Sequence, residues 1–329
     1  MGIKEPLISI LIPLYNVETF VEKCLNSLFE NTIIKDCEVI ICNDGSTDSS
    51  FEIVKKICDL HSDLNVVLID NEKNQGLPKT RQILLDAAKG KYIICVDSDD
   101  YVEKNYLESL YNCAETNSAD ITSCNGRYEN VDGSFICMQN MKFGETPLET
   151  VCDILLNKNY GYVWSRLIRR DFILQNNISW NPAITIYEDF VIIIKVLLAN
   201  PKCAYVDECL YHYIKRSNSM VSLFFTERLF EKHFVAFQEL ERLFNPIKSK
   251  DLERAFLFRK LIIRYNVLFK SAKSVMKKNF RIFPETNKVL DDPIVKYSKV
   301  KILLMKLQSK SKFLSYTLIC IYRFFKKVK

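Results

Sequence analysis

Lys91-Tyr92-Ile93-Ile94-Cys95-Val96 runs directly into Asp97-Ser98-Asp99-Asp100. The first six residues are an apolar run led in by Lys89-Gly90 and read as a buried strand. Such a strand ends where a sheet meets solvent, and in open α/β sheets ligands sit beyond the carboxyl ends of the strands. Three carboxylates within four residues repel one another, and a divalent cation relieves that repulsion. Oxygen-only donors suit Mg²⁺ or Mn²⁺, and Mg²⁺ commonly bridges one or two carboxylates to substrate phosphates. A plainer role also fits: one Asp caps a helix that begins near Tyr101 and the others are solvated.

Upstream, strand-like and helix-like stretches alternate. Leu7 to Leu14 is an apolar run, and Val17 to Glu30 places Phe20, Val21, Cys24, Leu25 and Leu28 on one helical face. Glu38 to Cys42 is a second strand, Ser49 to Leu60 a helix, Val66 to Ile69 a third strand and Leu77 to Ala88 a third helix. Strands this apolar, separated by helices, predict an α/β fold whose mostly parallel sheet is flanked by helices. Downstream, 101–115 reads as a helix, 119–145 as short strands with an Asp132-Gly133 hairpin turn, 147–158 and 188–199 as helices, and Leu210 to Lys215 as an aromatic strand.

The length of 329 residues allows one or two domains, and 48% hydrophobic with 26% charged residues is ordinary for a globular protein. Met1 to Pro6 is too short for a cleavable leader. The 12 cysteines form no close C-x-x-C pair and read as reduced core residues of a cytosolic protein. The net charge of +6 hides an asymmetry: residues 1–210 carry 19 Lys and Arg against 31 Asp and Glu, while 211–329 carry 27 against 9. Beyond about Ser222 the chain becomes long helical stretches rich in Phe, Leu, Lys and Arg. The expected division is therefore 1–221, with halves 1–103 and 104–221, followed by a basic helical region 222–329. A basic region suggests an acidic surface or polymer as partner.

Two loops should open beside the acidic cluster: Pro13-Leu14-Tyr15-Asn16, and Asn43-Asp44-Gly45-Ser46-Thr47-Asp48. An Asp at a strand end can accept from a uracil N3–H, and Tyr15 can stack on a base. The second loop is equally good strand-to-helix turn chemistry. No G-x-x-x-x-G-K or G-x-G-x-x-G occurs, so a metal and basic side chains would have to cradle phosphates.

Four stretches together resemble glycosyltransferase family 2, the inverting nucleotide-sugar-dependent enzymes of GT-A type fold. They are Ile8 to Asn16, Asn43 to Asp48, Asn74-Gln75-Gly76, and Lys89 to Ile93 leading into Asp97 to Asp100. The resemblance covers roughly residues 6–220. It implies a nucleotide-sugar-binding half over 1–103 and an acceptor-side half over 104–221. It implies that Asp44 reads the uracil of a UDP-sugar, with Pro13, Tyr15, Asn16, Asn74 and Arg81 lining the donor site. It also implies that Asp97 holds ribose or metal, and that Asp99 ligates the Mg²⁺ or Mn²⁺ at the diphosphate. Gln82 and Leu84 stand where the family pattern has Asn and Gly.

Tyr187-Glu188-Asp189-Phe190 opens an apolar helix. The resemblance makes Asp189 the catalytic base, with Glu188 on the acceptor side. A carboxylate is needed there, because an acceptor hydroxyl attacking an anomeric carbon must lose its proton. The plainer role is that both acids favour a helix N-terminus. Val163 to Arg170 resembles an acceptor-side segment, in which Trp164 would stack on a sugar face and Arg166 replaces the usual Lys. Arg169 and Arg170 read as helix-surface cations. Tyr211 to Ser219 resembles an aromatic strand and basic loop, in which Lys215, Arg216 and Ser219 would close over the diphosphate.

The C-terminal helices interleave cations with Phe, Leu, Ile and Val, which suits a basic amphipathic surface on an anionic membrane. Packing within the chain or against a second copy is the alternative, and no nucleic-acid module is recognisable. The expectation is a metal-dependent glycosyltransferase moving a sugar from a UDP-sugar to a glycan or lipid-linked saccharide. It would be cytoplasmic or peripheral on the inner face of the plasma membrane, with homo-oligomerisation open. The alternatives are a sugar nucleotidyltransferase, or a non-catalytic glycan-assembly protein that keeps the fold.

Overall fold

The structure, a computed structural model, describes residues 5–130, 134–138, 141–215 and 226–327. It divides into two compact units: Met1–Val151 with Asn159–Ser217, and Cys152–Lys158 with Asn218–Lys329.

In the first unit, β1 (Ile8–Leu14), β2 (Glu38–Asn43), β3 (Asn65–Asp70) and β4 (Tyr92–Cys95) form a parallel sheet in the order β3-β2-β1-β4. Every residue of β1, β2 and β4 is buried, as their largely apolar sequences require. β3 is the edge strand, and it is half-exposed rather than covered on both faces. Three helices connect these strands: α1 (Val21–Phe29), α2 (Ser50–Leu60) and α3 (Leu77–Ala87). α1 buries Val21, Cys24, Leu25 and Leu28, the i, i+3, i+4, i+7 face that the spacing predicts. At the opposite edge from the acidic loops, buried Glu38 accepts from Ser9 Oγ at 2.5 Å and from the Lys89 and Gly90 amides at 2.6 and 3.0 Å. That carboxylate ties β1, β2 and the entry to β4 together.

The second half of the sheet is mixed. The 101–115 segment is not one helix. Tyr101–Val102 forms β5, paired with the later strand, and α4 (Tyr106–Asn117) starts four residues on. β6 (Ile121–Glu129) and β7 (Phe135–Met138) are antiparallel, and the Asp132-Gly133 turn lies outside the described residues. α5 (Pro147–Leu155) follows. β8 (Arg166–Arg169) pairs antiparallel with both β4 and β6. Arg169 is therefore a strand residue ion-paired with Asp120, not a helix-surface cation, and Arg170 opens α6 (Arg170–Gln175). α7 (Glu188–Leu198) leads into β9 (Cys203–Ile214), which runs parallel to β6 and antiparallel to β5.

β9 slips register against β6 around Asn125, and Cys137 on β7 and Cys209 on β9 come within 6.7 Å, Cα to Cα. The structure joins them in a disulfide, which corrects the expectation that every cysteine is reduced. The other ten are outside any disulfide.

The second unit contains α8 (Glu227–Phe244), α9 (Lys250–Phe269), α10 (Lys273–Lys278), α11 (Lys299–Lys310) and α12 (Lys312–Lys327). Leu257, Leu261, Leu268, Met276, Phe280, Leu304, Met305 and Ile319 share its core. Several α9 cations are internal. Arg264 donates to Gln308, Thr286, Asn287 and the Met305 carbonyl, and burial lowers its guanidinium to about 10. Lys260 pairs with Glu241 and Glu285, and Arg254 with Asp292. Lys260 and Arg254 are thus paired with acids and Arg264 is enclosed by neutral acceptors, so these charges are not spare for an acidic partner. No described helix is long and apolar enough to cross a membrane.

Candidate active site

The carboxyl ends of β1, β2, β3 and β4 all meet one edge of the sheet, so the loops at 15–16, 44–48, 71–76 and 97–100 gather there. Asp44 is buried and its carboxylate is well occupied: Oδ1 accepts from Asn71 Nδ2 at 3.1 Å and the Gln75 amide at 2.9 Å, and Oδ2 from the Gly76 amide at 2.9 Å. A carboxylate has about four acceptor positions. Asp44 thus shapes the 71–76 loop and has about one acceptor position left. Gly45 has φ +68°, and a Cβ there would lie 2.7 Å from the Asn74 backbone nitrogen. Only glycine lets the two loops approach this closely.

Asn16, at φ +49°, accepts from the Thr47 amide at 2.8 Å and so joins the first loop to the second. Tyr15 and Asn74 are exposed. Pro13 is buried, and its carbonyl accepts from Ser98 Oγ at 2.7 Å, which fastens the acidic turn to β1.

The acidic turn separates its three carboxylates. Asp100 is buried, accepts from Tyr211 Oη and the Ile214 amide at 2.9 Å each, and so holds the turn to β9. Burial, with the nearby Asp99 and Asp97 charges, raises its carboxyl well above the usual range. Asp97 and Asp99 are half-buried at the turn. Two oxygen-donor carboxylates two residues apart fit a hard divalent cation. Among the described residues no group of three or more His, Cys, Asp or Glu could hold a metal, so diphosphate oxygens and water would complete such a site.

Arg81, fully buried on α3, is the hub. Its Nη2 donates to Asp97 Oδ1 at 2.9 Å, its Nη1 to Glu188 Oε1 at 3.2 Å, and Nη1 also to Asp189 Oδ1. One guanidinium thus joins the turn after β4 to the first residues of α7. Burial opposes the Arg81 charge, but Asp189, Asp97 and Glu188 outweigh it and hold the group above its ordinary value. Burial also pushes Asp189 up to about 7, helped by the Glu188 and Asp97 charges and opposed by Arg81. Burial raises Glu188 as well. Tyr187, just before this pair, takes the left-handed conformation at φ +62°. That is a strained backbone for a bulky residue, of the kind that collects at functional sites.

The acceptor-side expectation for Trp164 and Arg166 does not match their burial. Trp164 is fully enclosed, stacked 4.2 Å from Tyr211 and 5.2 Å from Tyr162. Arg166 is enclosed too, donating to the Tyr160 and Tyr162 carbonyls, and burial lowers it to about 10. Both brace the segment whose Val163 amide lies 3.5 Å from Asp189 Oδ2. Lys215 is exposed at the end of β9, 6.0 Å from the Tyr128 ring centre. Arg216 and Ser219 lie outside the described residues. Sequence reading missed Asn71, Ser98 and Tyr211, whose roles arise from side-chain bonds to distant loops. For Tyr211 the aromatic run of β9 was a signal.

A sequence model of the family described as glycosyl transferase family 2 matches residues 9–176, more than half of the chain. The chain belongs to this family. It is 30% identical to the uncharacterized glycosyltransferase EpsJ of Bacillus subtilis (strain 168) over 66% of this chain and 64% of that protein. The match therefore spans a little under two-thirds of EpsJ. It is 31% identical to the poly(ribitol-phosphate) beta-glucosyltransferase of Bacillus spizizenii over 75% of this chain and 38% of that protein. The S. aureus TarS 1–349 structure superposes with a TM-score of 0.69 at 19% identity, covering 95% of this chain and 89% of that one. TarS has also been solved with UDP-GlcNAc, at a TM-score of 0.64. These likenesses establish the GT-A type α/β fold of this family member.

Proposed function

We propose that this family 2 member is an inverting glycosyltransferase that moves a sugar from a UDP-sugar to a hydroxyl of a glycan or lipid-linked saccharide. The observation that carries the reading is the shared guanidinium: Arg81 binds Asp97 at the acidic turn and Asp189 at the start of α7, so the donor-side and base-side carboxylates are fixed to one rigid point. Tyr15 offers a ring to the base, Asp44 its remaining acceptor position to an N–H, and Lys215 a cation toward the diphosphate. Asp97 and Asp99 would hold Mg²⁺ or Mn²⁺, which stabilises the charge growing on the leaving diphosphate. The acceptor oxygen attacks the anomeric carbon from the face opposite the UDP oxygen. The new C–O bond forms as the old one breaks, UDP departs with the electron pair, and Asp189 takes the hydroxyl proton. A carboxyl near 7 is well matched to that transfer, since a general base works best with its pKa close to the operating pH.

The complex of TarS with UDP-GlcNAc and the poly(ribitol-phosphate) named for the B. spizizenii relative support a UDP-sugar donor and a polymer acceptor. The setting proposed is the cytoplasmic face of the membrane. The test is UDP release from UDP-glucose, UDP-galactose and UDP-GlcNAc with Mn²⁺. Wild type should release UDP slowly even to water, while Asp189→Asn should bind UDP equally well and release almost none. Equal turnover by Asp189→Asn would remove Asp189 from the base role.

A further inference from the structure

The second unit carries an apolar surface that its own core does not use. On α12, Phe313 is 85% exposed, Phe324 66% and Phe325 67%, and Leu314 and Ile321 are about half-exposed. Phe313, Thr317, Ile321 and Phe324 follow at intervals of four, four and three residues, so they share one helical face, flanked by Leu314 and Phe325. Among the described residues of α12, Ser315 and Ile319, on the opposite face, are the fully buried ones. The helix is therefore apolar towards solvent as well as towards the core, an arrangement a water-facing helix does not need.

The charge along this stretch of sequence is of one sign. Residues 293–329 contain ten Lys and Arg and no Asp or Glu. Lys306 pairs with Asp291, and Arg323 is tied to backbone carbonyls of the unit. Lys296, Lys299, Lys310 and Lys326 are exposed. On α11, Val300 and Leu303 are exposed among them.

We propose that the outer face of α12, with Phe313, Ile321, Phe324 and Phe325 as its apolar contacts and the neighbouring lysines around them, docks on an anionic lipid surface. Aromatic and aliphatic side chains would enter the boundary of the acyl chains while the ammonium groups stay among the headgroup phosphates. A second copy of this chain is a poorer occupant, because two such faces would bring like charges together. The docking face lies wholly in the second unit and does not depend on the donor or the chemistry of the first. For a lipid-linked acceptor it would put the enzyme where its substrate is.

The test is flotation of the full-length protein with vesicles of phosphatidylcholine alone and of phosphatidylcholine with phosphatidylglycerol, at low and high salt. The comparison protein is Phe313→Ser/Phe324→Ser/Phe325→Ser, whose exposed positions leave the core intact, as its thermal transition should verify. Wild type should float with anionic vesicles, more weakly at high salt, and the triple variant should lose about tenfold or more of that partition. Its mass in solution and any UDP binding should not change. Failure of wild type to bind anionic vesicles would overturn the assignment. So would equal binding by the variant, or a change of oligomeric mass in the variant with no change in vesicle binding.

Discussion

Asp189→Asn should stabilise the protein in a pH-dependent way while abolishing its proposed activity. The carboxyl is buried, and its pKa stands at about 7 against 3.8 for the free side chain. The unfolded chain releases this proton near 4 and the folded chain holds it to about 7. The folded state thus binds more protons across that window, and wild-type stability falls as pH rises from about 4 to about 7. At about 1.4 kcal/mol per pKa unit the full effect is about 4 kcal/mol. The side chain keeps 19% of its surface and some solvent screening, so about 2 kcal/mol is expected, or about 4–8 °C in Tm for a unit of this size. Asn has nearly the same shape and no charge to bury. Thermal unfolding of wild type and variant at pH 5 and pH 8, without nucleotide, reads the difference. About a third of the effect should already be present at pH 5, so the variant should melt slightly higher there and several degrees higher at pH 8. A gap that is the same at both pH values, or a variant that is relatively weaker at pH 8, would mean that Arg81 holds Asp189 fully ionised and that burial does not prevail.

Three further outcomes follow from the same geometry. Transfer rate against pH should rise through an acid limb near 7, set by deprotonation of Asp189, and a flat profile from pH 5 to 8 would contradict that. Arg81→Met should cost about 3–5 kcal/mol by denaturant unfolding, because it leaves Asp97, Glu188 and Asp189 crowded without their cation. In the surviving protein the acid limb should move to higher pH. Gly45→Ala should cost about 1–3 kcal/mol and weaken UDP binding, since the new methyl meets backbone at 2.7 Å in a left-handed turn.

The first hundred residues were legible because each parallel strand is built on a mostly apolar run and the helices between them show a 3.6-residue period. The later strands were not. β8 is four residues with an arginine at each end; Arg166 is enclosed against the Tyr160 and Tyr162 carbonyls, and Arg169 is neutralised by Asp120, 49 residues away. β5 is two residues long and exists because β9 lies beside it. β9 extends back through polar Asp207 and Glu208, where its register slips, so only its aromatic end reads as a strand.

In the site, the residue types on the acidic turn and at 188–189 could be read from the sequence, but their division of labour could not. The third aspartate of the turn holds Tyr211 and the Ile214 amide, a structural duty set by partners more than a hundred residues away. Arg81 becomes a hub only when α3 and α7 meet. Trp164 and Arg166 carry residue types suited to sugar binding, and nothing local distinguishes an exposed ring or guanidinium from an enclosed one.

The most direct test of the donor site is a calorimetric titration of UDP into wild type and into Asp99→Ala, each with and without Mn²⁺. The account predicts UDP binding by wild type that requires Mn²⁺ and is lost in Asp99→Ala. No UDP binding by wild type in either condition, or equal metal-dependent binding by Asp99→Ala, would contradict it.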